Sequence, residues 1–338
     1  MRLVVVTQQV DPASPVLGAT VAKLRALAAR VDELVVLADS AVDGALPDNC
    51  RVRRFRSGHR AGRGLRFENA LSRELVRRPR PGAVLAHMCP IYAVLAAPVA
   101  RPLRVPVLLW FTHWRRSRLL STAELLSNRV LSVDERTFPL RSKKVVAIGH
   151  GIDVSDLPCV ARPARDELML LALGRTSPSK GLETIIRAVA LVPDVKLLVI
   201  GPSLTEEERL HKIALERLVI DLGTLDRVDI RGPVPRHAVP ALYATVDALV
   251  NDMRPGATDK VVYEAAATCL PVVASNPAFD TLLPAELRFE HGDIDGLAEA
   301  IRGLRRLDRN AAGRALRETV VREHSVDVWA DRVVELAR

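Results

Sequence analysis

Aromatic residues and cysteines are scarce in this chain: six Phe, three Tyr, three Trp and four Cys among 338 residues. Cys50, Cys89, Cys159 and Cys269 are scattered, with no close pair and no neighbouring His. That excludes a zinc ribbon or a Cys-dense secreted scaffold and predicts reduced thiols rather than disulfides. No apolar run approaches the ~20 residues that a membrane-spanning helix needs. The opening MRLVVVTQQV is too short for a signal peptide, and Asp11 and Pro12 soon follow, so it reads as a first buried strand. Low-complexity tracts are missing, and 49% apolar residues exclude disorder. These features predict a cytoplasmic protein.

Two nucleotide-binding signatures are also absent. A dinucleotide fold needs Gly-x-Gly-x-x-Gly between its first strand and helix, whereas TQQVDPASPVLGAT stands there. Gly149-His150-Gly151 follows a strand, but Asp153 and Pro158 interrupt any helix. No Gly-x4-Gly-Lys-Ser/Thr occurs.

The length exceeds a usual single core, so two domains are expected. Apolar strands are predicted at Arg2–Thr7, Glu33–Ala38, Arg51–Arg56, Ala83–His87, Val105–Thr112 and Lys144–Gly149. Helical stretches at Gly18–Arg30, Phe67–Arg78 and Tyr92–Ala100 fall between them. The pattern lapses over Ile152–Asp166. It resumes with strands at Leu168–Leu173, Lys196–Ile200, Val228–Arg231, Ala248–Asn251, Pro271–Ala274 and Leu287–Glu290, and closes on a helix over Val326–Arg338. Strands alternating with helices imply α/β domains with mostly parallel sheets covered on both faces.

Chemistry concentrates in two segments. In LMLLALGRTSPSKGLETIIRAVA (Leu168–Ala190), a strand ends at Gly174, a polar loop carries Arg175 and Lys180, and a helix opens near Gly181. A helix N-terminus suits an anion, and two cations on that loop can clamp a diphosphate, Arg as a planar fork and Lys as a point charge. In NDMRPGATDKVVYEAAATCLPVVAS (Asn251–Ser275), a polar loop leads into a short helix at Lys260–Thr268 and a strand at Pro271–Ala274. The N–H groups of Thr258, Asp259 and Lys260 face a phosphate in this reading, and Glu264 accepts hydrogen bonds from ribose hydroxyls. A solvated basic loop and an ordinary surface Glu are the bland alternatives.

Together these segments resemble the C-terminal half of glycosyltransferase family 4, a retaining group with the GT-B fold. The resemblance implies two Rossmann-like parallel-sheet domains facing across a cleft: an acceptor domain at 1–152, a linker at 153–166, a nucleotide-sugar domain at 167–322, and a terminal helix at 323–338 crossing back onto the first domain with Trp329 as anchor. It implies a metal-independent hexosyl transfer from a nucleotide-diphosphate sugar, UDP-linked by preference, to the hydroxyl of a glycan, lipid-linked sugar or natural product, with no other cofactor. Arg175 and Lys180 match the family's diphosphate ligands and Glu264 its ribose ligand. The family's first Glu, which faces the donor sugar, falls here on Gly256, and its Gly before the Pro is replaced by Cys269-Leu270. A same-fold epimerase or hydrolase, and a non-catalytic nucleotide-sugar-binding protein, are the competing readings.

The first half carries fewer signals. Gly18, near the start of its first helix, permits backbone approach to a distal phosphate. His113 in LLWFTHW follows a strand end, where the family often places a His near the anomeric centre; it is the third catalytic candidate beside Arg175 and Lys180. His87 is a weaker one, and Trp114 and Tyr92 offer rings for sugar stacking. The net charge of +9 is unevenly spread. Arg51, Arg53, Arg54, Arg56, Arg60, Arg63 and Arg66 form a basic block, continued by Arg73, Arg77, Arg78 and Arg80, that suits a peripheral contact with anionic lipid or simply a solvated face. Without interleaved aromatics, nucleic acid is not expected.

Overall fold

A computed structural model describes residues 1–14, 17–163, 165–256 and 258–338. The chain divides into two compact units, Met1–Asp153 with Glu323–Arg338, and Val154–Arg322.

The first unit is built on β1 (Arg2–Val10), α1 (Ala19–Ala28), β2 (Glu33–Ala41), β3 (Cys50–Arg54), α2 (Arg60–Val76), β4 (Val84–His87), α3 (Pro90–Ala100), β5 (Val107–Trp110), α4 (Arg118–Leu126), β6 (Arg129–Ser132) and β7 (Val145–Ala147). The strands form one parallel sheet ordered β3-β2-β1-β4-β5-β6-β7. Near-continuous apolar runs such as Leu3–Val6 and Leu34–Ala38 are buried, as expected of parallel strands covered on both faces. β6 and α4 were not predicted: RVLS has only four residues, too few to separate its pattern from the flanking loops. Tyr92 is not available to stack on a sugar. It lies in the core, its ring 5.4 Å from Phe55 and 5.2 Å from Phe67.

The second unit contains β8 (Leu168–Leu173), α5 (Leu182–Ala190), β9 (Val195–Ile200), α6 (Glu206–Asp221), β10 (Val228–Arg231), α7 (Val239–Thr245), β11 (Ala248–Asn251), α8 (Lys260–Ala267), β12 (Val272–Ala274) and α9 (Ile294–Gly303). Its parallel sheet runs β10-β9-β8-β11-β12. The strand expected at Leu287–Glu290 is absent: a 3-10 turn at Ala285–Leu287 leaves a single bridge between Ala274 and Arg288. Pro284 just before the turn disfavours a longer ladder.

Two expectations about the middle of the chain are corrected. Cys159 and Cys269 form a disulfide across 110 residues, leaving Cys50 and Cys89 as the free thiols. Their sequence separation hid the pair, because the fold alone brings residue 159 against the end of α8. The segment read as a linker is bound into the second unit. Arg162 is buried and donates to the carbonyls of Val160, Tyr243, Val246 and Cys269, and Arg317 donates to that of Leu157.

α10 (Arg309–His324) leads to α11 (Val326–Leu336), which packs on α1 in the first unit. Trp329 is fully buried, edge-on to Trp110 at 5.6 Å, and the Lys23 ammonium lies over both rings at 5.1 and 4.7 Å. A cation over indole faces is favourable, the more so when desolvated. Arg30 adds ion pairs to Asp327 and Asp331 on the rim.

Candidate functional site

In an open parallel sheet, ligands gather outside the carboxyl ends of the strands, where the strand order reverses. In the second unit that point lies between β8 and β11. The loops leaving these two strands carry Arg175–Gly181 and Asp252–Asp259, so topology alone places both sequence motifs together.

Backbone geometry joins the loops. Gly174 has φ +143°, a conformation open essentially to glycine, which turns the chain sharply off β8. Gly181 has φ +59° and begins α5; a Cβ there would lie 2.3 Å from Asp252 Oδ2. The Arg254 N–H donates to the Ser179 carbonyl at 3.0 Å. Asp252, fully buried, accepts from Ser275 Oγ at 2.7 Å and meets His291 Nδ1 at 2.8 Å.

The charged residues among the predicted ligands already have opposite charges beside them. Arg175, half exposed, pairs with the buried Glu208 at 3.1 Å. Lys180 pairs with Asp259, whose Oδ2 also accepts from Asn251 Nδ2 at 2.9 Å. Glu264, with a side chain only 7% exposed, holds Lys260 at 2.5 Å and Arg236 at 2.9 Å through the same oxygen. Burial alone would raise the Glu264 carboxyl, but Lys260 and Arg236 outweigh it and hold its pKa below the ordinary value. It is therefore a carboxylate, an acceptor of hydroxyl hydrogen bonds. The Thr258 hydroxyl, buried nearby in sequence, has no hydrogen-bond partner among the described residues, an orphan that a ligand oxygen would satisfy.

The structure thus joins Lys180 to Asp259 and Lys260 to Glu264 and sets Arg175 on a separate pair. Sequence reasoning missed the acidic partner Glu208 and the cation Arg236, which lie on other elements and carry no local motif. Ala257 lies outside the described residues; Gly256, where the family pattern has its first Glu, has φ +112°, which disfavours a side chain there.

In the first unit, His113 lies exposed beyond β5, its Nδ1 accepting from the Arg115 N–H at 3.0 Å and its ring stacked on Trp114 at 5.5 Å. His87, by contrast, is buried without a hydrogen-bond partner on either nitrogen, and burial, reinforced by Lys23, pushes its pKa down to about 3. A neutral imidazole sealed in this way is a poor proton carrier. Gly18 has an ordinary helical φ of −54°. Its glycine is required by its own loop, for a Cβ would fall 2.7 Å from the Ser14 carbonyl oxygen.

The basic block is partly neutralised in place. Arg51 and Arg77 pair with Glu33, Arg53 with Glu74, Arg54 with Asp43 and Arg63 with Asp39. Among the described residues no group of three or more His, Cys, Asp or Glu is placed to hold a metal, and no helix is long and apolar enough to cross a membrane.

Comparison with known proteins sets the fold. The whole chain adopts the GT-B fold: it superposes on sucrose-phosphate synthase from Thermosynechococcus elongatus with a TM-score of 0.75 at 20% identity, covering 99% of this chain and 98% of that one. It also matches Anabaena Alr3699/HepE, solved in complex with UDP, at a TM-score of 0.77 and 18% identity over 99% of both chains. Residues 167–306, most of the second unit, match the family model described as Glycosyl transferases group 1. Among curated relatives, a D-inositol 3-phosphate glycosyltransferase of Mycobacteroides abscessus is 32% identical over 32% of this chain, and the lipopolysaccharide core biosynthesis glycosyltransferase LpsE of Rhizobium meliloti is 30% identical over 40% of it. The matched stretches span 25% and 39% of those relatives' own lengths.

Proposed function

We propose that the protein is a family 4 glycosyltransferase that moves a hexosyl group, with retention, from a nucleotide-diphosphate sugar to an acceptor hydroxyl. The observation that carries this reading is the convergence of the Arg175–Gly181 and Asp252–Asp259 loops at the β8/β11 reversal, with Glu264 one helical turn beyond. A donor diphosphate entering there exchanges places with Glu208 and Asp259 as partner of Arg175 and Lys180. The cations then neutralise charge that grows on the leaving group as the glycosidic bond breaks. The N–H groups of Thr258, Asp259 and Lys260 at the start of α8 add donors without a metal ion. Glu264 receives the ribose hydroxyls, and His113 orients the sugar from the acceptor side, with Gly18 at the distal phosphate. UDP is the favoured carrier because a protein of the same fold, HepE, was crystallised with UDP and with UDP-glucose.

Incubation with a panel of nucleotide sugars, with and without hydroxyl acceptors and with and without EDTA, tests the reading. Acceptor-dependent release of nucleoside diphosphate supports it. Release into water alone favours a hydrolase. Donor binding without turnover favours a non-catalytic binding protein, the reading that Gly256 supports, since the carboxylate that faces the donor sugar in the family is missing.

The proposal extends to a peripheral contact with anionic membrane at the cytoplasmic face, through α2 and the loop before it. Arg56, Arg60 and Arg66 are exposed here beside Leu65, itself 73% exposed. Because the neighbouring arginines are ion-paired, the contact rests on few free charges, each contributing about 1 kcal/mol and screened by salt.

A further inference from the structure

Away from the donor loops, the first unit holds a cavity of about 430 Å³ formed by the β5–α4 loop and the connection from β6 to β7. Its lining brings four cations, Arg116, Arg136, Arg141 and Lys143, against a single carboxylate, Glu135. Arg136 is engaged by Asp134 at 3.2 Å. Arg116, Arg141 and Lys143 have no carboxylate partner among the described residues, in contrast to Arg51, Arg53 and Arg54 of β3 and Arg63 of α2. The floor is apolar and fixed: Phe138 is buried and packs edge-on against Phe111 at 6.2 Å. The connection that makes this wall contains only a 3-10 turn at Glu135–Thr137 before β7, so no regular helix fills the space.

We propose that this cavity is a binding site for an organic phosphate, a phosphorylated small molecule or the phosphate head of a lipid. Guanidinium groups grip phosphate oxygens through paired N–H donors and Lys adds a point charge. The volume lies within the range of small-molecule sites and accommodates more than a bare ion. Arg116 follows His113 by three residues on one loop, so the phosphate is assigned to the acceptor. That last assignment rests on the transferase reading; the binding itself does not.

The test uses the full chain and two probes, glycerol 3-phosphate by titration calorimetry and vesicles containing phosphatidic acid by co-sedimentation. The variants are the double substitution Arg141→Gln with Lys143→Gln, and Lys180→Gln as a donor-loop control. The expected result is binding of at least one probe, weakened tenfold or more in the double variant and unchanged in Lys180→Gln, while affinity for a nucleoside diphosphate is unaltered in the double variant. Response to glycerol 3-phosphate identifies a soluble ligand and response to vesicles alone a lipid head group; both support the site. Binding of neither probe at millimolar phosphate, or binding that survives the double variant or disappears with Lys180→Gln, overturns it. Failure of the transferase reading would show instead as lost nucleoside diphosphate binding by the wild type.

Discussion

At the scale of single residues, the candidate donor site is an exchange of partners. Lys180 is held by a carboxylate, Asp259, that the proposed donor phosphate would have to displace. Removing the charge of that competitor should tighten donor binding. Asp259→Asn is therefore expected to raise nucleoside diphosphate affinity several-fold, whereas Arg175→Ala and Lys180→Ala should each lose on the order of 1.5–3 kcal/mol, the worth of a charge-assisted contact. Calorimetric titration of all three variants reads both effects. Weaker binding by Asp259→Asn would mean that the carboxylate positions Lys180 rather than competing for its ligand. Glu264→Gln should keep the fold and lose preference for ribose over 2′-deoxyribose, since a carboxylate outperforms an amide in accepting two hydroxyls. Equal binding of both nucleotides by the wild type would remove Glu264 from the ribose role.

At the scale of elements, strands and motif loops were legible because their signals are local. Leu168–Leu173 is an unbroken apolar run, Ala248–Asn251 is apolar up to its last residue and Val228–Arg231 alternates apolar with charged residues; the limits of all three match the structure. Arg175, Lys180 and Glu264 could be singled out because their loops adjoin such strands. Glu208, Arg236, the Cys159–Cys269 pair and the burial of Tyr92 were not legible. Each depends on what lies opposite in space, which no periodicity records. The loop junction makes a testable claim at this scale. Gly201 abuts the backbone of Gly174, where a Cβ would fall 1.7 Å from the Gly174 carbonyl oxygen. Gly201→Ala must push the β8 and β9 loops apart and should cost about 1–3 kcal/mol in a denaturant melt, as overpacking does. It should weaken nucleoside diphosphate binding as well. Wild-type stability in this variant would show that the two loops yield freely.

At the scale of the whole molecule, buried titratable groups set the response to acid. Burial lowers His324 to about 4, a shift opposed by Glu323 and Asp134 and supported by Arg332, and His87 falls to about 3. In the unfolded chain both take up protons near pH 6.5. Below that pH the unfolded state therefore binds more protons than the folded one, and stability falls on acidification from about pH 6.5 towards pH 4, by at most ~1.4 kcal/mol per pH unit for each histidine. Glu264 acts at lower pH: its stabilising charge is present above its unfolded value and is lost as pH drops through its depressed folded one. Urea midpoints at pH 7, 6 and 5 should decline, and His87→Gln should flatten the slope. The disulfide acts at the same scale. Reduction opens a loop of 110 residues and should lower stability by about 2–4 kcal/mol. Alkylation in denaturant without reductant should label Cys50 and Cys89 alone; labelling of all four would show that the bond is not formed.

The terminal helix has a consequence for biosynthesis. Trp329 supplies the face on which Trp110 and Lys23 close, yet a ribosome delivers Met1–Asp153 and then all of Val154–Arg322 before Glu323–Arg338 emerges. The half that is made first must wait, uncapped, while the half made second can finish, so domains that otherwise fold in order of synthesis are here completed in reverse. Arrested nascent chains lacking the last helix should show a protease-resistant second unit beside a first unit that is still cleaved.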